Sequence, residues 1–362
     1  VKERIMYTTQ RILLLLFGGI GDVLLFTPAL EALAKEFPKV PIDAVVRNDN
    51  GERVLKYNPY INDIIVYGKN NVNRISERFR LLRRIKKEKH ITSITICVDF
   101  DYKTGLLALL SGATKRIGPN IRRHGIFYNV KVPIPSHQHF IFRNYELVKR
   151  AGVIQPLNET MRFYLDREER LFAQKFFESH GLATEDIVVG IHPGGSPWRI
   201  ARRWPRDKYI EVINLLIKKG SLKVILMGGP DERETVDEIL EKSPGVIPAN
   251  APMTLGQFAA LIERCTLFLC NDGGPTQVAA AIGTPTITIV GPTDPRAFAP
   301  IGKQHTVVKT HLPCSPCIDC YDYNSDGCEE QTCMKSITVS QVMEVISEKL
   351  KEISTGTHSK VF

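Results

Sequence analysis

The chain of 362 residues is 43% apolar and 24% charged, which excludes a disordered, collagen-like or disulfide-stapled protein and predicts about two domains with cores large enough to need no metal or disulfide. Its net charge of +9 points to anionic partners such as nucleic acid, membrane or phosphorylated ligands. The charge is uneven: residues 1–160 hold 26 Lys and Arg against 14 Asp and Glu, and the remainder holds 22 against 25.

In chain order, residues 11–17 predict a buried strand. Residues 12–17 are too short an apolar run to span a membrane, and Gly18-Gly19 and Gly21-Asp22 break any secretory leader, so a cytoplasmic chain is expected. The glycine turn leads into a helix predicted to reach about residue 37. Gly19-x-Gly21 has Leu24 where a dinucleotide fingerprint needs its third glycine, and the Lys-Ser/Thr pair of a P-loop is absent. Asp22 either caps this helix and offsets its dipole, or acts as a general base aimed into an interdomain cleft. Pro28 either kinks the helix or restarts it with Thr27 as cap.

Strands are predicted at 42–47, 64–67 and 91–98, separated by Asn/Asp/Gly/Pro turns. Residues 74–89 predict an amphipathic helix with Ile75, Phe79, Leu82 and Ile85 on its apolar side. Its cations, among them Arg78, Arg83, Arg84, Lys86 and Lys87, form either a solvated face or a binding surface.

The same alternation restarts after a predicted helix at 166–180. Strands at 187–191, 223–227, 267–270 and 286–290 run into His192-Pro-Gly194-Gly195-Ser196, Gly228-Gly229-Pro230, Asn271-Asp272-Gly273-Gly274-Pro275 and Gly291-Pro292-Thr293-Asp294. A last helix is predicted at 339–353. The expected division is an α/β domain over 1–165, a second over 166–338, and a closing helix and tail over 339–362.

Glycines at the carboxyl ends of parallel strands let backbone N–H groups and helix N-termini approach an anion, so four such loops predict a phosphate or nucleotide site. Arg199, Arg202 and Arg203 follow the first loop, and a guanidinium suits phosphate oxygens.

The segments Gly-Gly-Ile-Gly-Asp-Val-Leu-Leu-Phe-Thr-Pro-Ala-Leu (18–30), His-Pro-Gly-Gly-Ser (192–196), Arg-Arg-Trp-Pro (202–205) and Asn-Asp-Gly-Gly-Pro (271–275) together resemble glycosyltransferase family nine, the ADP-heptose:lipopolysaccharide heptosyltransferases. Lys115-Arg-Ile-Gly118 and Pro313-Cys-Ser-Pro-Cys317 extend the likeness. It implies a GT-B architecture of two Rossmann-like domains facing an interdomain cleft, with an inverting, metal-independent transfer from a nucleotide-diphosphate sugar, ADP-heptose, to a lipopolysaccharide core or related lipid-linked phosphorylated glycan. On this likeness Asp22 is the base. Gly194, Gly195, Ser196, Arg202, Gly228, Gly229, Asp272, Gly273, Gly274 and Gln277 hold the donor, while Gly19, Gly21, Arg122 and Arg123 hold the acceptor. Two positions depart from the family pattern: Arg202 replaces a lysine and Gln277 a histidine. No cofactor is implied, and the basic first half suits a peripheral protein on the cytoplasmic face of the inner membrane.

Other readings have their own residues. A GT-B enzyme could use another nucleotide sugar. Asp99-x-Asp101 and His137-x-His139 have metal-like spacing. Cys314, Cys317, Cys328 and Cys333 could form a structural thiolate site, or be unligated thiols, and Cys320 lies among them. Cys97, Cys265 and Cys270 are expected in the core. Residues 68–90 and 115–123 could bind nucleic acid, but few aromatics are interleaved to stack on bases, so no nucleic-acid partner is expected. A Rossmann oxidoreductase is disfavoured by the missing third glycine.

Overall fold

The computed structural model describes residues 10–67, 94–98, 102–120, 122–135, 138–195, 199–318 and 330–356. The basic helix predicted at 74–89, Asp99, Asp101, His137, Ser196, Cys320 and Cys328 lie outside them. The chain divides into two compact units, Val1–Tyr164 and Leu165–Phe362.

Each unit is built on one six-stranded sheet. In the first the order is β3-β2-β1-β4-β5-β6, from β1 (Ile12–Leu16), β2 (Ile42–Val46), β3 (Asp63–Val66), β4 (Ile94–Cys97), β5 (Lys115–Pro119) and β6 (Val130–Val132). In the second it is β12-β11-β10-β7-β8-β9, from β7 (Val188–His192), β8 (Lys223–Met227), β9 (Ile247–Ala249), β10 (Leu267–Asn271), β11 (Thr286–Val290) and β12 (His305–Lys309). Every pairing in both sheets is parallel. These are two copies of one doubly wound topology, with the order reversing between β1 and β4 and between β7 and β10, where ligands of such sheets bind.

The central strands are near-continuous apolar runs because helices cover both faces: β1, β2, β7, β10 and β11 are buried at every position. Strands β5, β6, β9 and β12 went unpredicted. Lys115-Arg-Ile-Gly-Pro and His305-Thr-Val-Val-Lys are short and polar at their ends, so their pairing with neighbouring strands defines them.

The helix Ile20–Glu36 runs unbroken through Pro28, neither ending nor restarting there. Proline leaves the Leu24 carbonyl without its helical N–H donor. The Thr27 hydroxyl donates to that carbonyl at 2.7 Å, and its oxygen accepts from Arg162 N at 3.0 Å. One threonine thus satisfies the gap and ties the end of the first unit to the helix.

The helix Arg167–Ser179 starts in a capping box, Asp166 with Glu169, and ends before Gly181, whose φ of 63° favours glycine. The closing helix Val339–Ser354 packs into the second unit's core through Val342 and Ile346, next to Ile337 and Met334. Trp204 Nε1 donates to the Ile337 carbonyl at 3.1 Å, fixing that connection.

Candidate functional site

The second unit brings four glycine loops to the carboxyl ends of β7, β8, β10 and β11. Asn271, the last residue of β10, is buried and joins two of them. Its Nδ2 donates to the carbonyls of Pro193 and Gly194 at 2.8 and 2.9 Å, and its Oδ1 accepts from Trp204 N and the Tyr209 hydroxyl at 3.0 and 2.9 Å. All of the amide's bonding is directed at holding the β7 loop and the segment after it.

Glu232 joins the first loop to the second. It lies three residues after Gly229, the spacing of a capping box, and accepts from Gly229 N at 2.9 Å and Gly195 N at 3.3 Å. A Cβ on Gly194 would fall 2.0 Å from Glu232 Cγ, so only glycine allows this approach. Arg203 Nη2 donates to the Gly195 carbonyl at 2.7 Å. His192 lies buried at the end of β7. Burial lowers its pKa and Arg203 adds to this, against Glu232, so the ring is neutral at pH 7.

Asp272 begins the third loop, at the start of the helix Gly274–Ala281. Its Oδ2 accepts from Arg202 Nη1 at 3.3 Å and from the Thr293 hydroxyl, in the fourth loop, at 2.7 Å. Gln277 Nε2 donates to the Phe298 carbonyl at 2.7 Å, so its donor group is committed to structure. A cavity of about 430 Å³ opens beside the fourth loop, lined by Thr293, Asp294, Lys309, His311 and Ser315 among others.

The structure therefore gathers Gly194, Gly195, Arg202, Gly228, Gly229, Asp272, Gly273, Gly274 and Gln277 on the ends of adjacent strands. Sequence reading missed Asn271, Glu232 and Thr293 as the groups that hold them. Only Glu232 carried a readable signal, its capping-box spacing from Gly229.

In the first unit, Gly18 to Asp22 follow β1 at that sheet's reversal point. Asp22 occupies the third position of the helix Ile20–Glu36, and its Oδ2 accepts from Gly19 N at 2.7 Å. The capping role is thus a feature of the structure. A Cβ on Gly18 would lie 2.5 Å from Asp22 Cβ, so glycine there lets the carboxylate fold back over the loop. Arg122 and Arg123 begin the 3₁₀ turn Arg122–Phe127.

The competing metal readings fare differently. His139 caps the helix Phe140–Ala151, its Nδ1 accepting from Ile141 N at 3.2 Å. Cys314 and Cys317 are exposed and Cys333 is buried. Among the described residues no group of three His, Cys, Asp or Glu is placed to hold a metal ion. Cys97, Cys265 and Cys270 are buried, and burial pushes the Cys270 thiol up to about 12, which keeps it protonated. No helix of the described residues is long and apolar enough to cross a membrane.

Residues 78–325 match the family model described as glycosyltransferase family 9 (heptosyltransferase). The chain belongs to this family. It is a glycosyltransferase, which displaces the nucleic-acid-binding and oxidoreductase readings. Lipopolysaccharide heptosyltransferase 3 of Escherichia coli K12 is 27% identical over 287 residues, 76% of this chain and 80% of that protein. Lipopolysaccharide heptosyltransferase 1 of Pseudomonas aeruginosa is 25% identical over 336 residues, 85% and 86% of the two chains. The crystal structure of a family 9 glycosyltransferase from Veillonella parvula is similar with a TM-score of 0.81 at 27% identity, covering 95% of this chain and 97% of that one. An E. coli heptosyltransferase solved with ADP-2-deoxy-2-fluoro heptose shares the fold, with a TM-score of 0.70 at 21% identity over 94% and 99%. The fold class of this family 9 member is GT-B.

Proposed function

We propose that this family 9 glycosyltransferase moves a heptose from ADP-heptose to a lipopolysaccharide core or related lipid-linked phosphorylated glycan, with inversion at the anomeric carbon. The observation that carries this reading is the convergence of four glycine loops at the carboxyl ends of adjacent strands of the second sheet, with Arg202 on Asp272 at 3.3 Å. Backbone N–H groups, the N-terminus of the helix Gly274–Ala281 and one guanidinium together suit a diphosphate. The ADP-heptose analogue bound to the E. coli relative and the names of the lipopolysaccharide heptosyltransferases support donor and acceptor.

The acceptor hydroxyl attacks the anomeric carbon from the face opposite the diphosphate. The new C–O bond forms as the bond to the β-phosphate oxygen breaks, and ADP leaves with the electron pair. Asp22 takes the hydroxyl proton, and the Gly19 N–H on its Oδ2 fixes how the carboxylate is presented. Arg202 and the N-terminus of the helix Gly274–Ala281 meet the charge growing on ADP, so the reaction needs no metal. Because the acceptor carries lipid, the enzyme works as a peripheral protein on the cytoplasmic face of the membrane.

The test is ADP release from ADP-heptose, with heptose-deficient lipopolysaccharide as acceptor, in excess EDTA. Turnover that requires the acceptor and survives EDTA is expected. Activity restored only by a divalent cation, or equal turnover of UDP- or GDP-sugars, would overturn the metal or donor assignment.

A further inference from the structure

Eleven large hydrophobic side chains are exposed among the described residues, and five of them, Tyr102, Leu106, Leu109, Leu110 and Ile126, belong to one helix and the turn packed on it. The helix Tyr102–Leu110 buries Thr104, Gly105, Leu107 and Ala108. Tyr102, Leu106, Leu109 and Leu110 follow four-, seven- and eight-residue spacing and so share the opposite face. The Phe127 ring lies against Gly105, where a Cβ would be only 2.7 Å from it, and this seats the turn Arg122–Phe127 on the helix. Arg116 fastens the turn, donating to the Phe127 and Ala113 carbonyls at 3.1 and 3.0 Å. Ile126, next in the chain, is 73% exposed.

Two cations stand beside this apolar face: Lys103 on the helix, its Nζ over the Tyr102 ring, and Lys131, whose side chain runs past Gly125 of the turn. Lys103 and Lys131 are exposed. A rigid helix face of leucines in water is uncommon for a monomeric domain. With Lys103 and Lys131 at its border, it has the chemistry of an interfacial helix that enters the headgroup region of an anionic bilayer.

We infer that the helix Tyr102–Leu110 and the turn Arg122–Phe127 form the face by which this enzyme docks on a membrane with anionic headgroups. Leu106, Leu109 and Ile126 enter the interface, and Lys103 and Lys131 meet lipid phosphates. The surface deepens the reading of a lipid-linked acceptor, because it gives the acceptor-binding unit its own hold on the bilayer.

The test uses the full chain and vesicles of phosphatidylcholine, alone or with phosphatidylglycerol, in a co-sedimentation assay. Wild type should bind the mixed vesicles, less tightly as salt rises. Leu106→Gln/Leu109→Gln/Ile126→Ser should lower vesicle partition at least about tenfold with ADP affinity and melting temperature unchanged. Lys103→Glu/Lys131→Glu should remove most of the preference for phosphatidylglycerol. The inference is overturned if wild type ignores both vesicles, if the triple variant binds like wild type, or if that variant instead converts a dimer to a monomer in sedimentation velocity. Transfer to a lipid-free acceptor fragment reads the proposed reaction separately: its absence in wild type that still binds vesicles would sink the reaction and leave the docking face standing.

Discussion

Arg202 Nη1 lies 3.3 Å from Asp272 Oδ2, a contact longer than a tight charge-assisted bond, while the Thr293 hydroxyl holds the same oxygen at 2.7 Å. Asp272 therefore stays anchored if Arg202 turns to a donor phosphate. Arg202→Ala should weaken ADP binding about 10- to 100-fold, as expected for losing a hydrogen bond to a charged group. Arg202→Lys should recover part of it. Titration calorimetry with ADP checks both, and unchanged affinity in the alanine variant would remove Arg202 from the donor site.

Asn271 is a stability residue as much as a site residue. Replacing it by Leu strands four backbone and hydroxyl groups that it now satisfies. Buried unsatisfied groups cost on the order of 1–3 kcal/mol each and do not add in full, so a loss of about 3 kcal/mol is expected. Urea denaturation of the variant measures it.

Asp22→Asn keeps an oxygen that can accept from Gly19 N, so the helix start and the melting temperature should be nearly unchanged. Transfer should fall by about a thousandfold or more while ADP binding persists. A variant retaining full turnover would show that Asp22 only caps the helix. Gly18→Ala should lower activity by a different route, since its Cβ displaces the carboxylate, and it should also cost stability.

His305 supplies a pH dependence of stability. Burial, with a smaller contribution from Lys349, lowers its pKa to about 4, and its Nδ1 lies 2.9 Å from the Thr286 hydroxyl. The unfolded chain binds the proton more readily, near pH 6.5. Stability is therefore full above about pH 6.5 and falls as the pH drops toward 4, by roughly 3 kcal/mol from this group. His305→Gln should flatten that part of the curve in denaturation measured from pH 4 to 7.

Thr27→Val keeps the shape of the side chain but leaves the Leu24 carbonyl and Arg162 N without the hydroxyl. A loss of about 1–2 kcal/mol is expected, read as a lower denaturation midpoint. Thr27→Ser should restore most of it.

Much of the fold was legible in the chain. The apolar run Leu13-Leu-Leu-Leu16, bounded by a glycine turn, and the β-branched segment Thr286-Ile-Thr-Ile-Val290 read as strands. The glycines placed directly after them marked where the loops and the site residues would fall. The sequence by itself thus determined the α/β alternation, the position of the glycine loops and Asp22 at a helix start, because periodicity and glycine chemistry are local. It could not settle whether Pro28 breaks its helix, since the answer depends on a Thr27 hydroxyl bond and on Arg162, 135 residues away. Nor did it reveal that Asn271, Glu232 and Thr293 hold the loops together, or that Tyr102, Leu106, Leu109 and Ile126 share an exposed face. Hydrogen-bond partners 21 to 78 residues apart and the covering of a helix face are decided only when the strands and helices pack.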